Sequence, residues 1–369
     1  MVSIEKVSRR PLLLLIFGGR SAEHEVSVRS AANVASAIDG GKYDLRLAGI
    51  DKKGRWVRID DPDFFRTHTV VPYRREKELF LVPDGSRTLR SFSDHKPFCT
   101  VDIAFPLIHG SNGEDGTLQG LLQLAGIPFV GSDVLGSAVC MDKDFTKRLL
   151  RDAGIPVGRF LVFRSCDAVD KAAVRDELGY PLFVKPANLG SSVGIRRAHN
   201  EEELASAMEN AFRYDTKILV EEEIQGREIE CAVLGNEKPV ASAPGEIIPA
   251  DGFYSYEAKY INEDGARLAV PASLHEKDAG RIRSLAVRCY AVLGCAGMAR
   301  VDCFLQHGGG LLVNEINTIP GFTSISMYPK LFEAAGMPVS ELIDRLIRFG
   351  IERYERHEKL LRAFARRGE

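Results

Sequence analysis

Arg300, Asp302, Glu315 and Asn317 are the residues with the clearest capacity for chemistry. They sit in ARVDCFL and LLVNEIN, on the two sides of the glycine-rich turn HGGG at residues 307–310. A hairpin centred between Gly308 and Gly309 sets Asp302 opposite Glu315 and Arg300 opposite Asn317. Side chains alternate along strands, so all four share one face. Two facing carboxylates repel unless a cation lies between them. An oxygen-only set of Asp, Glu and Asn suits Mg²⁺, which commonly completes its shell with phosphate oxygens. The competing reading, a solvated hairpin face, fits poorly with the apolar flanks VDCFL and LLVNEI.

A second segment, KPANLGSSVG at 185–194, follows the apolar run PLFV. Lys185 ends a buried strand and there requires an anion. Gly190-Ser191-Ser192-Val193-Gly194 offers backbone N–H groups and hydroxyls able to close over phosphate oxygens. It matches neither of the two familiar glycine-rich phosphate fingerprints, and a serine-glycine turn alone is a weak signal. Lys143, in MDKDFTK at a helix start, is a second candidate phosphate lysine. The strand after these ends in three carboxylates, Glu221 to Glu223, at most two of which point to the same side. Such a carboxylate can accept from an adenine amino group, and Glu228 is placed to meet ribose hydroxyls.

The elements that must carry these residues read as α/β. Leu12–Phe17 is a continuous apolar strand, followed by a helix bearing Ala31, Val34, Ala35 and Ile38, strands near 45–50 and 101–107, and a helix at 117–125. That alternation predicts a parallel unit over residues 1–130, with a polar hairpin-and-loop insertion at about 55–98. A second unit, 131–225, is predicted from helices at 142–153, 167–178 and 201–212 and strands at 160–163, 181–185 and 217–223. Short turns suggest that its sheet is partly antiparallel, and Asn200 is a candidate N-cap with Glu203 three residues on. A third unit, 226–369, holds EIECAVLG and PVASAPGEII, a tyrosine-rich loop, a long helix at 276–293, the hairpin and C-terminal helices.

Bulk properties narrow the function. The 369 residues predict two or three domains or subdomains. A net charge of −2 offers no broad electrostatic case for nucleic acid or an anionic membrane. Seven cysteines without a CxxC pair read as buried, reduced thiols of a cytoplasmic protein. Arg9-Arg10 before LLLLIF resembles a crude export signal, but that apolar run is too short and no cleavage-type site follows. No run approaches the roughly 18 apolar residues of a membrane span.

Seven motifs in register carry a family resemblance over nearly the whole chain: GGRSAEHEVS, HGSNGEDGTLQG, MDKDFTK, FVKPANLGSSVG, FYSYEAKY, ARVDCF and NEINTIPGFTSIS. The chain resembles the D-alanine–D-alanine ligases of the ATP-grasp superfamily. The resemblance implies an N-terminal α/β domain and two subdomains that clasp ATP. By that likeness the SSVG loop closes over the ATP phosphates, with Lys143, Lys185 and Ser192 binding them. Glu221, Glu223 and Glu228 line the adenosine pocket, with Ile224 offering backbone groups to the base. Asp302, Glu315 and Asn317 hold two Mg²⁺ ions, for which Mn²⁺ can substitute.

At the substrate end, the resemblance implies that Glu23 pairs with the ammonium of the first D-alanine, near His109. Arg300 holds the developing acyl phosphate and the Gly321 N–H contributes to an oxyanion site. Ser326, followed by the pocket residue Met327, binds the carboxylate of the second D-alanine. Ser191 and Tyr260 link the phosphate loop to the tyrosine-rich lid and to Glu23, and Lys259 reaches a phosphate when the lid closes. The implied protein is a cytoplasmic homodimer acting in peptidoglycan synthesis. Relatives that make D-alanyl-D-lactate depart from the EAKY motif, so Tyr260 favours the dipeptide. A D-alanyl-D-serine ligase and a nucleotide-binding regulator without turnover are the other readings. The intact Arg300, Asp302, Glu315 and Asn317 speak against the last.

Overall fold

The structure is a computed structural model and describes residues 9–166, 169–249 and 265–361. Tyr260, Lys259 and the rest of FYSYEAKY lie outside the described residues, as does the basic run beginning at Arg362. Three sheets carry the chain. The first has seven strands in the spatial order Pro97–Thr100, Thr88–Ser91, Glu78–Leu81, Trp56–Ile59, Asp44–Ile50, Leu12–Gly18, Ile103–Pro106. Leu12–Gly18 is parallel to both neighbours and every residue in it is buried. A strand covered on both faces needs apolar residues at every position, which LLLLIF supplies.

The 55–98 stretch corrects the sequence reading. The expected hairpins are present, but they are no separate insertion: their strands extend this sheet antiparallel from Asp44–Ile50 outward. Each is four residues long, so alternation had little length in which to show; Val57, Leu79 and Leu89 are nonetheless fully buried anchors. The N-terminal sheet is therefore mixed rather than parallel.

The second sheet, Arg196–Ala198, Leu182–Pro186, Ile218–Glu222 and Phe160–Phe163, is antiparallel throughout rather than in part. The helix expected at 167–178 runs Lys171–Leu178, because Asp170 caps it by accepting from the Ala173 N–H. Asn200 caps Glu201–Ala211 as anticipated, accepting from the Glu203 N–H while Glu203 accepts from the His199 N–H. Helix Val134–Met141 was not foreseen: its run of small residues, VLGSAVCM, carries no strong 3.6-residue pattern.

The third sheet is six-stranded and antiparallel, with Arg227–Gly235 and Gly297–Leu305 at its centre. One core joins it to the first sheet: Leu13, Phe105 and Val130 pack with Leu234, Tyr328 and Leu346. The final helix, Val339–Glu358, locks this junction. A side chain at Gly350 would stand 2.7 Å from the Phe129 carbonyl oxygen, and Arg353 donates to that same oxygen at 3.0 Å. Gly350→Ala is expected to cost about 1–3 kcal/mol by overpacking against backbone, read as a lower urea midpoint at unchanged slope.

Candidate active site

Helix Lys143–Asp152 is fixed at its start by two devices. The Asp142 side chain caps it, accepting from the N–H groups of Asp144 and Phe145. Lys217, buried at the base of the neighbouring strand, donates to both Asp142 oxygens at 2.6 and 2.7 Å and to Asp144 at 3.2 Å. Lys143 is thereby held beside the glycine-serine loop. Its ammonium donates to the Leu189 carbonyl at 2.5 Å and lies 4.0 Å from Glu315.

The loop itself is folded down onto the first sheet. Ser191 and Ser192 adopt the left-handed region, at φ of 52° and 59°, which is uncommon for residues other than glycine. The Ser191 hydroxyl donates to Glu23 Oε1. Glu23 stands at the N-terminus of helix His24–Ala37 yet makes no side-chain capping bond. Its buried carboxylate is turned to the loop instead, so it is more than a helix-terminal charge.

His109 is fully buried. One ring nitrogen meets Ser30 Oγ at 2.9 Å; the other meets the Ile319 carbonyl at 3.0 Å and lies 3.5 Å from Glu114. Burial alone would lower its pKa, but Glu114, with Glu23 and the Ile319 carbonyl, outweighs burial and holds it above the ordinary 6.5. Stability from this pair is complete below the ordinary value and is lost as pH rises through the raised one. An imidazole NMR titration is expected to show His109 titrating above 6.5, and Glu114→Gln to lower it.

The hairpin pairs Arg300 with Asn317 and Asp302 with Glu315, as the sequence suggests, but for a different reason. The turn closes one residue earlier, with Leu305 opposite Leu311. A bulge between Asp302 and Cys303 restores the expected pairing and leaves Asn314 as the extra residue. Asn314 Oδ1 accepts from Lys185 at 3.3 Å, tying the second sheet to the third. Arg300 grips Asp302 with two bonds, Nε to Oδ1 at 2.8 Å and Nη2 to Oδ2 at 2.6 Å. Asn317 Oδ1 accepts from the Ile319 N–H.

A cavity of about 540 Å³ gathers Glu23, His109, Lys143, Ser191, Arg300, Glu315, Asn317, Gly321, Ser326 and Met327. Ser326 precedes helix Met327–Ala334 without capping it; its hydroxyl instead accepts from the Thr323 N–H at 3.0 Å. A Cβ at Gly321 would stand 2.6 Å from Ser326 Oγ, so a side chain there would push that hydroxyl aside.

The remaining candidates lie outside this lining. The anion that Lys185 required is Glu221, 2.8 Å away. Glu221 is buried, and its second oxygen lies 3.2 Å from the buried Lys147 ammonium, an ion pair without hydrogen-bond alignment. Glu223 pairs with Arg197 at 2.7 Å, and Glu222 with Arg159. Ile224 fills the space left by the missing side chain of Gly158. Glu228 lies close enough to Lys185 to raise its pKa, after Glu221, against the opposing effect of burial.

Sequence reasoning missed four residues. Glu114 was inside a quoted motif, HGSNGEDG, and Lys147 inside MDKDFTK. Glu230 was legible only as a polar break in EIECAVLG, and Asn314 had no signal because a bulge has none. Among the described residues no three His, Cys, Asp or Glu side chains form a ready-made metal cage. The donor set nonetheless fits a hard cation. Asp302 and Glu315 face each other across the hairpin with Asn317 one pair along, and Glu230 lies opposite Asp302 on the next strand, so oxygen donors converge there. Hard carboxylate and amide oxygens of this kind suit Mg²⁺.

The D-ala D-ala ligase N-terminus model matches residues 13–132 and the D-ala D-ala ligase C-terminus model residues 149–348. The chain is 51% identical over 361 residues to D-alanine–D-alanine ligase A of Chromobacterium violaceum, covering 95% of this chain and 97% of that one. It is 49% identical to the Escherichia coli K12 ligase A over 357 residues, 92% of this chain and 95% of the relative. Among solved structures, the Coxiella burnetii D-alanine–D-alanine ligase superposes with a TM-score of 0.83 at 39% identity, covering 96% and 98% of the two chains. The VanG D-Ala:D-Ser ligase of Enterococcus faecalis gives 0.82 at 37% identity, covering 93% and 100%. The fold is the ATP-grasp fold, and the chain belongs to the D-alanine–D-alanine ligase family.

Proposed function

We propose that the protein joins two D-alanines to D-alanyl-D-alanine with consumption of ATP, supplying peptidoglycan synthesis. The observation that carries this reading is the single cavity that gathers a buried carboxylate, Glu23, with the cations Lys143 and Arg300 and the hydroxyl of Ser326. A carboxylate does not form an amide until it is activated. Transfer of the ATP γ-phosphoryl group to the first D-alanine gives an acyl phosphate and ADP. The amine of the second then attacks the carbonyl, phosphate leaves, and one proton is lost from nitrogen. Positioning and charge neutralisation supply most of the catalysis in such a transfer.

The residues divide this work. Glu23 takes the ammonium of the first D-alanine, with His109 and Glu114 bracing it. Lys143, Lys185 and Ser192 meet phosphate oxygens, and Ser191 keeps the loop closed on Glu23. Arg300 and the Gly321 N–H face the negative charge developing on the reacting carboxyl. Ser326 and Met327 receive the second D-alanine. Glu223, Glu228 and Ile224 serve the adenosine, and Lys259 and Tyr260 complete the closed site from the lid. Asp302, Glu315 and Asn317 hold Mg²⁺, which neutralises phosphate charge when bound. An acyl phosphate is lost to water unless the site closes first. Domain limits near 130 and 225, a homodimer and a cytoplasmic location belong to the same reading. No described helix is long and apolar enough to cross a membrane.

The test is phosphate release from Mg·ATP with D-alanine, with L-alanine, and with D-alanine plus D-lactate or D-serine, each product identified by mass. Release with D-alanine alone among single substrates, and a D-alanyl-D-alanine mass, is expected. A dominant mixed product would reassign the second subsite. Absence of release in every mixture, with ATP still bound, would overturn the catalytic reading.

A further inference from the structure

We propose that Glu230, to which no role has so far been given, is the positioning residue that keeps Arg300 aimed into the cavity. The inference rests on the reading of Arg300 as the group that meets the reacting carboxyl. Glu230 lies on Arg227–Gly235, directly across the sheet from Asp302, and lines the same cavity as Arg300. Its side chain is only 4% exposed, and Oε2 stands 3.1 Å from Arg300 Nε. The guanidinium thus sits between two buried carboxylates, Asp302 on its own strand and Glu230 on the next. Their fields, with that of Glu315, hold the Arg300 pKa far above its ordinary value against the opposing effect of burial.

One carboxylate is sufficient to neutralise an arginine. A second is costly to bury beside the first, since like charges repel and both lose hydration. The arrangement makes sense if the two anions have different duties. Asp302 and Glu315 are the facing carboxylates of the cation-binding hairpin, and a cation taken up there competes with Arg300 for Asp302. Asp302 holds both Nε and Nη2, so its loss would free the guanidinium to swing. Glu230 is off the hairpin, and its Oε2 stands 3.1 Å from Nε, an ion pair without hydrogen-bond alignment. It can therefore retain Arg300 near Nε when Asp302 turns to a cation and releases Nη2 to an incoming anion. Arginine suits this division because its five donors form a rigid planar fork.

The experiment uses the whole protein. Glu230→Gln removes the charge and keeps the shape. At saturating Mg·ATP and D-alanine it is expected to lower kcat about 10- to 100-fold, the scale of a small misplacement of a reacting group. Calorimetric binding of Mg·ADP, which does not require Arg300, should stay within about threefold of the parent. Arg300→Lys should lose more, and the double variant should be no worse than Arg300→Lys alone, because a residue acting through another is non-additive with it. Glu230→Asp keeps the buried charge but withdraws the oxygens, and the same kcat loss is expected should the Gln variant fold poorly.

The proposal is overturned if Glu230→Gln keeps kcat within twofold while Arg300→Lys is impaired, or if the two losses multiply in the double variant. A parallel collapse of Mg·ADP binding and kcat in both Glu230 variants would assign a structural role instead. Full activity in Arg300→Lys would overturn the reading of Arg300 itself, and this proposal with it.

Discussion

Asp302→Asn is expected to leave a folded protein with almost no turnover. The substitution removes one of the two facing carboxylates of the hairpin, and with it the oxygen anion best placed to share a cation with Glu315. It also replaces the two-bond grip on Arg300 by an uncharged contact. Phosphoryl transfer depends on charge neutralisation, so kcat should fall about 10³-fold, some 4 kcal/mol of transition-state stabilisation. Stability should not fall with it. Asp302, Glu230 and Glu315 crowd one guanidinium, and removing one of three like charges relieves repulsion. ADP release measured by a coupled assay in excess Mg²⁺, beside a thermal melt, checks both halves. Turnover within tenfold of the parent would remove Asp302 from the metal site.

Glu221→Gln is the same chemical change with the opposite outcome expected for the fold. Glu221 is buried between two lysines, the buried Lys147 and the half-buried Lys185. Burial alone would raise its pKa, yet the two ammonium groups outweigh burial and hold it at about 2 against an ordinary 4.5. The sign follows directly. A carboxyl depressed in the folded state contributes stability that is complete above 4.5 and disappears as pH falls toward 2. A depression of that size corresponds to about 3 kcal/mol. With Gln at the position the lysines lose their counter-ion, and removing one partner of a buried ion group costs about 3–5 kcal/mol. Urea unfolding at neutral pH should show that loss, and the variant should lack the acid limb between pH 4.5 and 2. A loss below about 1 kcal/mol would mean that water or another anion already serves the lysines.

These two carboxylates illustrate how far a linear reading reaches. Both were singled out as ligand-binding residues, one for a metal and one for adenine. For the first, the pairing it needs, Asp302 opposite Glu315, is present, because opposed positions across a turn can be counted along the chain. The count succeeded at Asp302 and Glu315 only because two effects cancelled: the turn closes a residue early, and a bulge at Asn314 returns the register. For Glu221 counting along the chain was uninformative. Its partners come from a helix, Lys143–Asp152, and from the adjacent strand, and nothing in EEE distinguishes the glutamate that meets Lys147 and Lys185 from those that meet Arg159 and Arg197. An adenine contact by Glu221 would have to form while Lys147 and Lys185 retain it. Lys185 read correctly as a lysine that needs an anion, but the anion present is a side chain.

What the sequence by itself determined is the set of chemical types and the elements that bear them. The long apolar strand at Leu12–Gly18, the capped helices after Asp142 and Asn200 and the hairpin around HGGG are governed by local rules of burial, capping and turn geometry. Those rules act within a few residues, so they are visible in a string of letters. The tertiary structure decided which partner each buried carboxylate meets. Glu23 finds Ser191, Glu114 finds His109, Glu221 finds Lys147, and Glu230 finds Arg300. Three of these four pairs join segments more than 65 residues apart, and in all four the carboxylate is buried, where water no longer levels the energies of alternative partners. In that setting a few ångströms set by the packing of three sheets fix the partner, and no spacing along the chain encodes those distances.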